Sequence, residues 1–190
     1  MDMCDMRRVV VGVSGASGAA LGLACLDGLR EVGVESHLVL TCGAELTIEQ
    51  ELGMGAERFA AHADVTYDNR DIGAAIASGT FKTMGMIVAP CSMKTLAGVA
   101  SGYSENLLLR AADVTMKERR PLVLMVRETP LSPIHVDNMQ RLCRIPGVVL
   151  MPPLLTFYQG PQDMDDMVHH IACKALDVFG LEPRGFRRWS

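Results

Sequence analysis

Aromatic residues are scarce in this sequence. Phe, Trp and Tyr make up 5% of the 190 residues, with one Trp, so a core has to rest on aliphatic side chains and on the 13 Met. Hydrophobic residues still reach 49%, enough for a sizeable core at the length of one domain. Positive charge is not in excess: 18 Lys and Arg face 22 Asp and Glu. That balance argues against nucleic acid or an anionic membrane as a partner, since both favour a basic surface. No Cys-x-x-Cys pair occurs among the six Cys at 4, 25, 42, 91, 143 and 173. The start is polar, with Asp2, Asp5, Arg7 and Arg8 ahead of any apolar run, which does not read as a secretory signal. Reduced thiols in a cytoplasmic protein are therefore expected. No run approaches the roughly 18 apolar residues that span a bilayer.

Metal-ligand spacing is missing too, and no metal is expected. His169 and His170 are adjacent, so they face different directions on a helix and read as surface or interface residues. Neither a GxGxxG fingerprint nor a Walker A loop is present. With no linker, repeat or low-complexity segment, residues 1–190 read as one domain. Residues 1–7 and the polar stretch 181–190 are candidate tails, the latter loose or docked on a neighbour.

What the sequence does contain is an alternation of short apolar runs with helical patterns. Residues 8–13, 36–40, 84–89, 122–126 and 148–151 read as strands. Residues 44–52, 92–100, 106–117 and 134–143 read as helices, as does the segment from Ala19 to its stop at Gly33. Residues 56–83 give a weaker pattern that suggests one or two short helices. In the last helix, Met164, Met167, Val168, Ile171, Ala175 and Phe179 keep the 3.6-residue period, and Gly180 ends it. Unbroken apolar strands between helices predict an α/β domain: a doubly wound, mostly parallel sheet of Rossmann-like or flavodoxin-like kind, covered on both faces. Ligands bind such sheets beyond the carboxyl ends of the strands, at the switch in strand order.

The residues at those ends are therefore the candidates. Gly12-Val13-Ser14-Gly15-Ala16-Ser17-Gly18 joins the first strand to the first helix, where small residues admit a ligand and a helix N-terminus suits a phosphate. The same residues would also serve as an ordinary tight turn. Pro90-Cys91-Ser92-Met93-Lys94-Thr95 has the same placement, with Ser92 and Thr95 able to cap a helix or hold phosphate. Cys91 reads as a buried structural thiol rather than a nucleophile, having no His partner in sequence. Arg127-Glu128-Thr129-Pro130 leaves a buried strand as a charged pair. The Arg could grip phosphate, the Glu could act as acid or base, or the two could form a structural ion pair. Tyr158 could donate to an anion or merely pack. Lys117-Glu118-Arg119-Arg120 closes a helix, where cations favour the C-terminus and are usually solvated.

Taken together, five stretches resemble the UbiX family of flavin prenyltransferases. They are Gly15-Ala16-Ser17-Gly18, Ala89-Pro90-Cys91-Ser92-Met93-Lys94-Thr95-Leu96, Arg110-Ala111-Ala112-Asp113-Val114, Lys117-Glu118-Arg119-Arg120-Pro121-Leu122-Val123-Leu124 and Arg127-Glu128-Thr129-Pro130. Phe157-Tyr158 and Arg187-Arg188-Trp189 add to the likeness, which runs from about residue 8 to 180. Within the family it is nearest to members associated with hydroxyarylic acid decarboxylases.

The resemblance implies a homo-oligomer, trimer or dodecamer, that binds FMN at subunit contacts. It implies transfer of a dimethylallyl group from dimethylallyl monophosphate to N5 and C6 of reduced FMN, with prenylated FMN passed to a UbiD-type decarboxylase. FMN would lie against Gly15, Ala16, Ser17, Thr41, Ser92, Met93, Lys94, Thr95 and Arg127. The prenyl phosphate would lie near Lys117, Arg127, Glu128, Tyr158 and Lys174. Ser17, Glu51, Lys117 and Glu128 would be catalytic: Ser17 steering protons near N5, Glu51 or Glu128 accepting one, Lys117 matching the charge of the leaving phosphate. Thr41 stands where many members have Ser, and Lys174 where many have Arg, which loses bidentate geometry. Two other readings remain: a non-catalytic FMN-binding subunit of a hydroxyarylic acid decarboxylase complex, and a cysteine-decarboxylase-like flavoprotein.

Overall fold

A computed structural model describes residues 7–158 and 160–188. Cys4, Trp189 and the rest of the two predicted tails' ends lie outside those residues. Six strands form a single sheet: β1 (Arg8–Val13), β2 (Glu35–Leu40), β3 (Val65–Tyr67), β4 (Gly85–Cys91), β5 (Leu122–Val126) and β6 (Val148–Leu150). All neighbours are parallel, in the order β3-β2-β1-β4-β5-β6. This is the doubly wound order, and the direction of winding reverses between β1 and β4.

Among the described residues seven α-helices flank the sheet: α1 (Ala19–Glu31), α2 (Cys42–Leu52), α3 (Ala56–Ala60), α4 (Met93–Ser101), α5 (Leu107–Lys117), α6 (Pro133–Leu142) and, after the last strand, α7 (Met164–Asp177). Alternate strand residues supply two cores. Val9, Val11, Ile87 and Val123 face Leu26, Leu29, Phe59 and Leu176 of α1, α3 and α7. Val10, Met86, Leu122 and Leu124 face Leu96, Leu107, Leu108 and Leu142 of α4, α5 and α6. Both faces of the central strands β1, β4 and β5 are therefore dry, which is why those strand sequences are almost unbroken apolar runs. Each such buried side chain contributes roughly 1.5–3 kcal/mol of transfer free energy.

Three elements differ from the sequence reading. Residues 56–83 hold α3, a 3-10 turn at Ala75–Ala77 and the edge strand β3, not helices alone. The strand is three half-wet residues, too short to show a period; Asp64 fixes it by accepting the amide of Ser36 at 2.7 Å. Strand β4 does not stop before Pro90 but runs through it to Cys91. The ladder with β5 shifts register between Val88 and Cys91, so the missing N–H of Pro90 falls at an irregularity. The polar stretch from 181 is docked on its own chain as far as 188. Leu181 is 2% exposed, the Arg184 amide donates to Glu31, and Arg187 pairs with Asp166.

Arg120, expected to be solvated, instead donates to the carbonyls of Phe81 (2.8 Å) and Gly79 (2.7 Å), and so pins the loop after the 3-10 turn. His169 is bonded within the chain to the Arg184 carbonyl at 2.9 Å and contacts Cys173 at 3.3 Å.

Candidate functional site

The switch in strand order opens a cavity of about 560 Å³. It is lined by Gly15 after β1, Thr41, Cys42 and Gly43 after β2, and Ser92, Lys94 and Thr95 after β4. Asn69, Arg70, Glu105, Asn106 and Leu109 complete it. Three helices begin there. Thr41 caps α2 by accepting the Ala44 amide at 3.2 Å, Ser92 caps α4 through the Thr95 amide at 3.3 Å, and Asn106 caps α5 through the Leu109 amide at 3.0 Å. Three N-termini turned toward one space, with Lys94 beside them, favour an anion; Arg70 is paired with Asp68 at 2.8 Å, and the Glu105 carboxylate also lines the cavity. The volume lies within the range of small-molecule pockets, and the lack of a side chain at Gly15 and Gly43 leaves room for a flat ring system. These residues fit a flavin mononucleotide, phosphate included.

Close packing builds the cavity. A Cβ on Gly15 would stand 2.8 Å from the Cα of Gly43, so the β1 turn and the start of α2 touch through bare backbone. Ser14 is the link that sequence reasoning passed over. It is 1% exposed, its hydroxyl donates to the Pro90 carbonyl at 2.9 Å, and it accepts the Ser92 amide at 2.7 Å. One side chain thereby holds the two phosphate-ready loops in register. Asn69 was also missed, because β3 was. Its carbonyl takes the Leu107 amide at 2.8 Å and its side chain takes the Leu108 amide at 3.0 Å, which seats α5 against the cavity.

Glu51 has an unexpected role at the N-terminus of α1. Its carboxylate accepts the amides of Gly18 (2.9 Å) and Ala19 (2.8 Å), so an internal anion holds the place where a ligand phosphate was expected. Partial burial pushes the carboxyl up, but the Ser17 hydroxyl, those two amides and the charge of Arg127 outweigh it and hold it below the usual value. Ser17, Glu51 and Arg127 are thus gathered at the N-terminus of α1, close in sequence to the cavity-lining Gly15, although none of the three lines the cavity itself. Arg127 is anchored there by its own amide, which donates to the Cys91 carbonyl at 3.1 Å. Cys91 is fully buried, and burial pushes its thiol up to about 12, so it is inert packing.

The remaining predicted residues are distributed as follows. Ala16 belongs to the β1 turn, its amide bonded to the Ser14 carbonyl at 2.8 Å, and Met93 is half-buried against the core of α4 and α5. Glu128 follows Arg127 in the exposed loop and accepts the Thr129 amide at 3.0 Å. Tyr158 is 68% exposed beyond β6. Lys117 and Lys174 are not in this cavity. Lys117 ends α5, eleven residues on from the cavity-lining cap, or about 16 Å of helix, and is paired with Glu118. Lys174 is paired with Asp177 at 3.0 Å near the end of α7, where Leu176 lies against Gly28 in the last part of α1, far from the cavity end of that helix. Among the described residues there is no cluster of three or more metal-ligating side chains, and no helix is long and apolar enough to cross a membrane.

The Flavoprotein family matches residues 2–176 of the chain. The flavin prenyltransferase UbiX of Neisseria meningitidis serogroup B (strain ATCC BAA-335 / MC58) is 50% identical over 185 residues, 97% of each chain. A dodecameric FMN-dependent UbiX-like decarboxylase from Escherichia coli O157:H7 superposes with a TM-score of 0.93 at 51% identity, covering 96% of this chain and 99% of the other. AnUbiX (PadA1), solved in complex with FMN and dimethylallyl pyrophosphate, gives a TM-score of 0.95 at 44% identity over 98% of both chains. With its doubly wound sheet and its cavity at the β1–β4 switch, the chain belongs to the UbiX-type flavin prenyltransferases of the Flavoprotein family.

Proposed function

We propose that the chain transfers a dimethylallyl group from a prenyl phosphate to N5 and C6 of reduced FMN, that the donor is the monophosphate, and that a UbiD-type decarboxylase receives the product. The observation that carries this reading is the convergence of three helix N-termini on one cavity, with Arg127 and Ser17 gathered around Glu51 at the start of α1. FMN supplies the nucleophilic ring atoms; the chain's residues hold it and manage the leaving anion.

Phosphate departs readily only when its charge is matched in a dry site. Arg127 follows β5 and bonds through its amide to Cys91, next to the cavity-lining Ser92. Lys117 and Lys174 lie at the opposite end of their own chain, so their charges reach a cavity only if a neighbouring subunit presents them. The dodecameric assembly of the Escherichia coli relative supports that arrangement. Glu128 and Tyr158 are both exposed and follow the carboxyl ends of β5 and β6, which supports their assignment to the donor. Glu51 is better suited to anchoring the Ser17 turn than to accepting a proton, because its hydrogen bonds favour the ionised form. The proton lost at C6 is assigned to Glu128 or to the released phosphate.

The test is to mix the protein with reduced FMN and either dimethylallyl monophosphate or pyrophosphate, then measure the mass of the extracted flavin. A flavin heavier by one prenyl group with the monophosphate supports the reading. An unaltered flavin with both donors sinks it, and a heavier flavin with the pyrophosphate alone corrects the donor.

A further inference from the structure

We propose that Asp177 is a positioning residue for Lys174, and that the docked C-terminal segment sets how strongly it acts by placing Arg188 on the same carboxylate. The inference rests on the reading of Lys174 as a ligand of the donor phosphate.

Asp177 lies between two cations. Its Oδ2 is 3.0 Å from Nζ of Lys174, one turn back on α7, and its Oδ1 is 2.6 Å from the Arg188 guanidinium. The Asp177 side chain is 20% exposed, whereas Lys174 is 60% exposed, so the carboxylate is the fixed partner and the ammonium the one that faces outward. Hydrogen bonds from Arg188 and Lys174 hold the Asp177 carboxyl below its usual range, and it stays ionised. A Lys ammonium has three donors, so its single bond to Asp177 leaves capacity for an arriving anion.

Arg188 does not find Asp177 by chance. The segment leading to it is fastened over α1 and α7 at several points. Leu181 is buried and Pro183 packs beside Gly28. The Arg184 amide donates to Glu31, His169 bonds the Arg184 carbonyl, and Arg187 pairs with Asp166. Arg188 itself is steadied by Glu182 at 3.1 Å and by the Phe186 ring, 4.9 Å from its guanidinium.

The arrangement has a direct electrostatic consequence. With Arg188 in place, Asp177 shares its charge between two cations and holds Lys174 in position without cancelling it. With Arg188 removed, the whole carboxylate charge falls on Lys174, and the donor phosphate meets a neutralised pair. Exposed ion pairs are weak, so the effect is modest and depends on salt.

Steady-state prenylation at low ionic strength tests this, with four variants compared to wild type. Lys174→Met raises KM for the donor. Arg188→Ala raises it about two- to fivefold, with the dissociation constant for FMN and the melting temperature unchanged, and Arg188→Lys restores it. Adding Asp177→Asn to Arg188→Ala brings KM back toward the wild-type value, because the uncompensated charge is gone while the amide oxygen still accepts from Lys174. An unaltered KM in Arg188→Ala, or no relief in the double variant, overturns the role of the segment while leaving Lys174 as a ligand. An unaltered KM in Lys174→Met overturns the placement of Lys174, and this proposal with it.

Discussion

The Glu51 carboxylate accepts the amide of Ala19 at 2.8 Å, and so caps a helix that lies 32 residues earlier in the chain. No side-chain cap comes from Gly18, the residue at that position, so Glu51 supplies the cap from α2. Replacing it with Ala should cost about 1 kcal/mol, the usual value of a lost helix cap. The pH dependence has a definite sign. The folded carboxyl lies below its ordinary 4.5, so its stabilisation is complete above that pH and is lost as pH falls through the lower folded value. Thermal melts of wild type and Glu51→Ala should therefore differ at pH 7 and converge on acidification below about pH 4.5. A constant gap down to pH 3 would show that the ionised form is not what matters.

Ser14 carries two hydrogen bonds with no access to water. Ser14→Ala leaves the Ser92 amide without that acceptor and the Pro90 carbonyl with one donor fewer. A buried polar group left unsatisfied costs about 1–3 kcal/mol. Denaturant unfolding should show a loss in that range, and FMN affinity should fall as the two loops lose register. If FMN binding is unchanged while stability drops, the link between the loops is structural only.

The sequence exposed the parts of this site that obey a local rule. Small residues after β1, the Ser92 cap after β4 and a charged pair after β5 each follow an apolar strand, so they could be read without neighbours. What escaped was built from distant contacts. Ser14 looks like any turn serine until Pro90 and Ser92 close on it. Asn69 has meaning only once the three-residue strand β3 is known, and three residues carry no detectable period. Lys117 and Lys174 were read as ligands by likeness to a family, and nothing in their own sequence neighbourhood says that they lie at the far end of the chain from its cavity. The length of α5 settles that for Lys117, and the packing of Leu176 against Gly28 settles it for Lys174.

Gly15 tests the tightness of the cavity wall. Any side chain there meets the backbone of Gly43, which cannot move without shifting the start of α2. Gly15→Ala should lower FMN affinity at least tenfold, about 1.4 kcal/mol, in a fluorescence titration. Gly55→Ala is the matched control: that residue has an ordinary negative φ of -73 and open space around it, so affinity should be unaltered. Equal affinities in both variants would mean that the wall is softer than its packing suggests.

Lys117 gives the sharpest prediction, because its own chain holds it about 16 Å of helix away from the cavity-lining Asn106. Either Lys117→Ala or Arg127→Ala should retain the fold and lose roughly a hundredfold or more in rate, as expected when one charge contact to a leaving group is deleted. If each site takes Arg127 from one subunit and Lys117 from another, the two inactive proteins can repair each other. In an equal mixture allowed to exchange subunits, one chance in two supplies an intact Arg127 and one in two an intact Lys117. About a quarter of wild-type activity should then return, provided the oligomer exchanges freely. Co-expression of the two variants with distinct tags, purification of the mixed oligomer and measurement of prenylated flavin would check this. Recovery no greater than the sum of the two residual rates would mean that one chain provides both cations. It would then require a rearrangement of α5 that the packed Leu107 and Leu108 do not permit, or a different ligand for the phosphate.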